Sequence, residues 1–295
     1  MLPFARVRIW WMAVRPKTLT LAATPVVVGT VLGWHDTGTF HAAAFWVALI
    51  CALLIQTGTN LFNDAADAQS GNDGPDRLGP TRVTASGLAT PRAVKRAAML
   101  TFALAFVGGL YLVTIGGWPI LAVGIASLVA GWLYSGGPRP LSHTAWGEVA
   151  VVLFFGVAAV AGSDYLQRGA LSWVAVGVGL ALGLHAAAVL LLNNLRDHDS
   201  DRRAGRRTLV QLIGTRRAYW TYALLLLAPF PLLALGLSVE AVGLGWLVLP
   251  ICLWLAWRGS QLQPSPMMNT QLALTAFAQV LLGGLLSVSL LRDVV

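Results

Sequence analysis

Asn60-Leu61-Phe62-Asn63-Asp64-Ala65-Ala66-Asp67 and Asn193-Asn194-Leu195-Arg196-Asp197-His198-Asp199-Ser200-Asp201 are the two stretches that decide how this chain is read. Each stands where a long apolar run meets a basic loop, and with Asp73 and Asp76 they hold seven of the chain's twelve acidic residues. Ionisable groups at the ends of hydrophobic segments are costly and need a reason to be there. The repetition points to one site built from two halves.

The sequence around these motifs is that of an all-α polytopic membrane protein. Of 295 residues, 57% are hydrophobic and only 11% charged, and the mean hydropathy is +0.70, far outside the range of soluble chains. Apolar runs of about 20 residues, the length a membrane-spanning helix needs, fall at 18–34, 42–63, 95–115, 118–135, 147–163, 171–194, 217–236, 239–257 and 270–291. That predicts nine spans in a single bundle, the third and fourth separated only by Gly116-Gly117-Trp118-Pro119.

The net charge of +8 is explained by topology. With the N-terminus in the cytoplasm, eighteen of the twenty Lys/Arg residues fall inside and only Arg168 and Arg292 outside, the bias that insertion imposes. This argues against nucleic acid as a partner and predicts a multi-pass protein of the cytoplasmic (inner) membrane with its polar loops inside. Cys51 and Cys252 both lie in predicted spans, so neither a disulfide framework nor a thiolate metal motif is available. Trp10, Trp11, Trp34, Trp118, Trp173 and Trp257 sit near span ends, as interfacial anchors do.

Asp64 and Asp197 are equivalent positions at the cytoplasmic ends of spans 2 and 6. Four spans separate them, which predicts two pseudo-repeated four-helix halves, spans 1–4 and 5–8, closed by a ninth helix. A site then tends to lie between the halves. The chain reads as one domain over 1–295, capped by the two long hydrophilic loops at about 64–94 and 196–216. The first is rich in Gly and Pro and carries Arg77 and Arg82, and the second carries Arg202, Arg203, Arg206 and Arg207.

On a helix, positions four apart share a face, so Asn60 aligns with Asp64, Asn63 with Asp67, and Asn193, Asp197 and Asp201 form one stripe. Asp199 falls off that stripe as a solvated neighbour. Carboxylate and amide oxygens without a His/Cys set suit Mg²⁺, or Mn²⁺ as a substitute, rather than zinc. Mg²⁺ favours phosphate oxygens as partners, and arginine holds the same anion with a planar fork. Two acidic helix ends with flanking arginines therefore predict a metal and diphosphate site.

Several stretches carry a family resemblance: RPKTL at 15–19, the first motif with GNDGPDRLGPTR at 71–82, LYSGGPRPL at 133–141, Gly147-Glu148, and the second motif with Gly205-Arg206-Arg207-Thr208-Leu209. On these the chain resembles the UbiA superfamily of intramembrane prenyltransferases. Within it, it is most similar to the 1,4-dihydroxy-2-naphthoate prenyltransferases (MenA type) of menaquinone synthesis. The resemblance implies Mg²⁺-dependent transfer of a polyprenyl group from polyprenyl diphosphate to 1,4-dihydroxy-2-naphthoate with decarboxylation, giving demethylmenaquinol.

It further implies Asp64, Asp67, Asp197 and Asp201 as catalytic residues. The metal set would be drawn from these with Asn60, Asn63, Asn193 and either Asp73 or Asp76; the diphosphate would be held by Arg77, Arg82, Arg206 and Arg207. Lys17 and Tyr134 are candidate substrate contacts, Tyr134 through its π face. The chain departs from the NDxxDxxxD form seen in the 4-hydroxybenzoate branch, because Gly71 stands four residues after Asp67, and the third carboxylate stays open between Asp73 and Asp76. Alternatives are prenyl transfer to 4-hydroxybenzoate or homogentisate, a transporter, or a non-catalytic isoprenoid-binding homologue. Against a transporter, the motif carboxylates lie at helix ends rather than at mid-membrane.

Overall fold

The computed structural model describes residues 3–69 and 78–292; Asp73, Asp76 and Arg77 lie outside them. Among the described residues the chain is helical, and its only β pairing is an isolated bridge between Thr144 and Arg207. Seven helices are long and apolar enough to cross a membrane, as expected of a multi-pass membrane protein.

A short helix α1 (Pro3–Val14) leads into α2 (Pro16–Thr37) through Arg15. Arg15 is the one non-glycine residue with positive φ (φ 56) among the described residues, although a residue before proline ordinarily prefers extended backbone. That conformation costs on the order of 1–2 kcal/mol and turns the chain sharply beside the site described below. Helices α3 (Ala42–Gln69) and α4 (Pro91–Leu133) follow. As one straight rod α4 would run about 65 Å at the helical rise, twice the hydrocarbon thickness. It is not straight: Gly117 adopts φ 66, ψ −154, backbone that glycine alone tolerates easily. A methyl group on Gly131 would meet Phe102 at 3.3 Å and Thr59 at 2.9 Å, and one on Gly58 would meet the same Phe102 at 2.7 Å. Residues on both sides of Gly117 thus pack on the same stretch of α3, and the chain folds back at Gly116-Gly117.

Helix α5 (Gly147–Arg168) contains a π-helical stretch at Leu153–Ala158. Next come α6 (Trp173–Arg196), the short helices α7 (His198–Arg203) and α8 (Leu209–Ile213), and α9 (Thr215–Gly236). The apolar run expected as a single span at 239–257 is broken: α10 (Val239–Val242) passes through a 3₁₀ turn at Gly243–Val248 into α11 (Leu249–Ser260). Gly243 has φ 36, and Leu244 N–H is held by the Ser289 hydroxyl. Helix α12 (Met268–Arg292) closes the bundle.

Lipid is as apolar as leucine, so close backbone approach rather than hydrophobic driving force holds such helices together. A methyl group on Gly29 would strike the Val160 carbonyl, and one on Gly33 would lie 2.7 Å from Gln167 Cβ, which docks α2 on α5. Gly156, in the π-helical stretch, meets Gly179 and Gly183 of α6 in the same way. At the far end of the α2–α5 pair, Arg168 joins Asp36 (2.5 Å) and the buried Asp164 (3.1 Å). The largest buried cluster draws on α2, α5, α6, α9, α11 and α12, including Leu182, Leu191, Tyr222 and Phe230.

Candidate active site

The first motif occupies the last turns of α3, and its carboxylates are buried. Asp64, 1% exposed, accepts hydrogen bonds from the backbone N–H groups of Val83 (3.1 Å) and Thr84 (3.0 Å) and from the Thr84 hydroxyl. This carboxylate ties the turn at 82–89 onto the end of α3, with Val83 buried against Leu61, Phe62 and Ala65. Asp67 faces two arginines: its Oδ2 accepts from Arg82 Nη2 at 2.6 Å and its Oδ1 from Arg206 Nη2 at 2.7 Å. Arg206 Nη1 donates to Asp201 Oδ1 at 3.1 Å. One guanidinium thus spans the two motifs, 139 residues apart in sequence, and brings them into a single site.

The second motif is not one continuous helix, as its i, i+4, i+8 spacing predicted. Helix α6 ends at Arg196, and Asp197 (φ −93, ψ 9) caps it before α7 begins. The i→i+4 ladder still runs through the bend, from Asp197 N–H to Asn193 O (3.0 Å) and from Asp201 N–H to Asp197 O (2.8 Å). The bend comes with a side-chain clamp: Arg196, 2% exposed, donates to both Asp197 oxygens (2.8 and 2.6 Å), to Asn193 Oδ1 (2.7 Å) and to Asn269 Oδ1 (2.7 Å). Asn269, at the start of α12, also donates to the Leu78 carbonyl at 2.9 Å and so ties both loops together. Asp199 is solvated, its side chain 79% exposed.

Asn60 is turned to another task than the carboxylates: its amide donates to Val14 O and Thr18 Oγ1, both at 2.9 Å, fastening α3 to the α1–α2 turn. Asn63 Oδ1 is buried without a hydrogen-bond partner. Lys17 is exposed. Arg207 is exposed too and pairs through its backbone, donating to His143 O at 2.9 Å. Tyr134 follows directly on α4 among the charges of Glu148, Asp67, Arg206 and Arg15.

Burial is the largest influence on Asp201, whose pKa is pushed up to about 6; Arg206 opposes that, while Asp197 and Asp67 add to it. His143 is held below its usual value, first by burial and then by Arg206. Sequence reasoning attached no role to four residues: Thr84, Arg196, Asn269, and Glu148 at the start of α5. Glu148 had a signal, an acid at the head of an apolar run, and Arg196 lies inside the quoted motif. Thr84 and Asn269 had none.

From Tyr134, Gln56 and Thr59 an apolar cavity runs between α2, α3, α4 and α5 toward Ser163 and Leu166 near the other end of α5. Phe154 and Phe155 of the π-helical stretch line its wall. A long hydrocarbon fits such a channel, and the charged cluster stands at its head.

Among the described residues no three His, Cys, Asp or Glu side chains are gathered as a metal site, and arginines sit on the carboxylates instead. The donor chemistry nevertheless fits a hard divalent cation. Asp67, Asp197 and Asp201 present carboxylate oxygens, Asn63 Oδ1 is buried and unpartnered, and the arginine charges sit where a cation's charge would be needed.

A profile of the UbiA prenyltransferase family matches residues 22–283. A 1,4-dihydroxy-2-naphthoate octaprenyltransferase of Mycobacterium tuberculosis is 36% identical over 94% of this chain and 96% of its own length. The enzyme of the same name from Escherichia coli is 39% identical over 83% and 82%. Among solved structures, a UbiA homolog from Archaeoglobus fulgidus bound to GPP and Mg²⁺ superposes with a TM-score of 0.66 over 95% of this chain and 99% of its own, at 15% identity. That last likeness concerns the fold.

Proposed function

The chain belongs to the UbiA prenyltransferase family, and we propose that it transfers a polyprenyl group from a polyprenyl diphosphate to 1,4-dihydroxy-2-naphthoate, with loss of the ring carboxylate, in menaquinone biosynthesis. The observation that carries this is Arg206 joining Asp67 to Asp201 at the head of a long apolar cavity. A diphosphate is the ligand whose charge suits that head and whose tail suits that channel. The acceptor is drawn from relatives 36% and 39% identical over most of the chain.

In this reading Arg82 and Arg206 leave their carboxylates to bind diphosphate oxygens, and Arg77 and Arg207 extend the basic rim. Mg²⁺ would be held by Asp67, Asp197 and Asp201 with Asn63 and Asn193, joined by Asp73 or Asp76, and would neutralise the leaving group. Asp64, whose oxygens hold Val83 and Thr84, fixes the loop that carries Arg82. The channel orients the tail and keeps water from the allylic cation, while the Tyr134 ring faces it.

The topology belongs to the same proposal. Counting α4 as a hairpin and Val239–Ser260 as one broken crossing gives nine spans, arranged as two halves of four and a closing helix. The loops that bear the site face the cytoplasm, as the distribution of Lys and Arg supports.

The deciding experiment offers the purified protein Mg²⁺, polyprenyl diphosphates of graded length, and in turn 1,4-dihydroxy-2-naphthoate, 4-hydroxybenzoate and homogentisate. The expected product has the mass of a prenylated, decarboxylated naphthoquinol. Turnover of another acceptor alone would overturn the naphthoate assignment, and no turnover of any would overturn the transferase mechanism.

A further inference from the structure

We propose that Glu148 binds the aromatic acceptor, its free carboxylate oxygen receiving the hydrogen bond of a ring hydroxyl. The inference rests on the aromatic prenyl transfer argued above and names the residue that selects the acceptor. Glu148 is 5% exposed and stands in the first turn of α5. Its Oε1 accepts from Asn194 Nδ2 at 2.9 Å, whereas its Oε2 is buried with no partner. Asn194 lies within the second motif, so this bond fixes the carboxylate relative to the diphosphate end of the site.

The surroundings define what the free oxygen faces. Tyr134 stands at the head of the cavity, as do Ala150 and Val151 one turn on from Glu148, and Asn194, which holds Glu148, adjoins the Asn193 that Arg196 clamps. Other buried polar atoms without partners belong to the same end of the bundle: Gln56 Oε1, Asn63 Oδ1, Ser135 Oγ and Thr208 Oγ1. Gln56 lines the cavity beside Tyr134, and Ser135 follows Tyr134 in the chain. Buried polar groups are ordinarily paired, so each unpaired one here needs an explanation, and a polar ligand is one.

The chemistry narrows the ligand. A carboxylate oxygen without a proton accepts, so the partner that fits Oε2 brings an O–H or N–H. A prenyl tail brings neither, and a diphosphate is repelled. A phenolic ring supplies the donor, and its own carboxylate is pushed from Glu148 toward the arginines, which sets how the ring enters. A hydrogen-bond acceptor on the ring hydroxyl also raises the electron density of the ring that attacks the allylic carbon. A purely structural Glu148, a tie between α5 and α6 through Asn194, would explain Oε1 and leave Oε2 without a purpose.

The test uses the full chain in detergent. Glu148→Gln keeps the shape and can still accept from Asn194, but its second atom is now a donor. We expect kcat/KM for the acceptor to fall about 10- to 100-fold, the range for a hydrogen bond to a charged group, while KM for the polyprenyl diphosphate stays within about twofold and Glu148→Asp recovers part of the loss. Binding of the two monomethyl ethers of the acceptor, read from tryptophan fluorescence, adds a second arm. Wild type should reject one ether, and Glu148→Gln should lose that preference. Unchanged acceptor kinetics in Glu148→Gln, or an unchanged ether preference, would overturn the inference. If Glu148→Gln does not fold, the ether preference of Glu148→Asp decides: retained at full strength, it overturns the proposal, and weakened, it supports it. If wild type uses only another phenolic acceptor, the naphthoate assignment fails by itself, and the same comparison on that acceptor still decides the role of Glu148.

Discussion

Replacing Arg206 with Gln tests the central contact most directly. The side chain is 15% exposed and holds Asp67 and Asp201, which are 7% and 6% exposed. Removing one partner from a buried pair costs about 3–5 kcal/mol, because a charge is left uncompensated. Two features reduce that here. Arg82 remains on Asp67 at 2.6 Å, and Asp201, whose pKa is already about 6, escapes by taking up a proton. The expected loss of stability at neutral pH is therefore about 2 kcal/mol, below the full buried-pair figure.

The same substitution should raise KM for the polyprenyl diphosphate by about 10- to 100-fold, the worth of a charge-assisted bond to a phosphate oxygen. Thermal unfolding in detergent, with and without millimolar Mg²⁺, separates the two roles. In wild type a metal ion must displace Arg206 from both carboxylates; in Arg206→Gln Asp201 is free of it and only Arg82, on Asp67, still competes. Mg²⁺ should therefore raise the unfolding midpoint more in the variant than in wild type. Equal Mg²⁺ responses, with an unchanged diphosphate KM, would refute the claim that guanidinium and metal share these oxygens.

Asp201 gives a pH dependence whose sign is fixed. Its folded pKa of about 6 lies above the unfolded value of about 3.9, so between those values the native state binds more protons. Stability of the metal-free protein should fall as pH rises through that window, and Asp201→Asn should flatten the slope in unfolding scans with chelator. Mg²⁺ affinity should conversely weaken as pH drops below about 6, and a pH-independent titration would count against Asp201 as a ligand. Asp64→Asn should nearly abolish turnover and also release the turn at 82–89, seen as faster proteolysis there; a fully active variant sinks the role assigned to that carboxylate. Gly29→Ala, whose added methyl strikes the Val160 carbonyl, should cost about 1–3 kcal/mol of stability through overpacking, whereas Gly284→Ala, with open space around it, should leave the unfolding midpoint alone.

Much of the fold follows from hydropathy, because lipid leaves backbone polar groups no choice but helices, and nearly every expected run is a helix. The run at 239–257 reads as one span yet contains a 3₁₀ turn, since the Ser289 hydroxyl reaching Leu244 N–H comes from another helix and leaves no local trace. The same limit applies at the site. Spacing along a helix puts Asn193, Asp197 and Asp201 on one face, but the clamp of Arg196 on Asp197, Asn193 and Asn269 depends on the start of α12 being nearby. Asn60 has the spacing of a ligand and in addition serves the α1–α2 turn through its Nδ2, because Val14 O and Thr18 stand within reach of it.

The two motifs are not equivalent halves. In the first, Asp64 is committed to backbone N–H groups and Asp67 alone meets cations; in the second, Asp197 is clamped by its neighbour and Asp201 keeps only a 3.1 Å contact with Arg206. The carboxylates of Asp67 and Asp201 are joined by Arg206, and Asp67 is held by Arg82 as well. In the proposed mechanism, binding of the anion and exposure of the metal ligands become one event: the diphosphate takes Arg206 and Arg82, and Asp67 and Asp201 are left to hold the ion that neutralises it. A site arranged in this way keeps its charges compensated before substrate arrives, which a cluster of bare carboxylates at a membrane surface could not do.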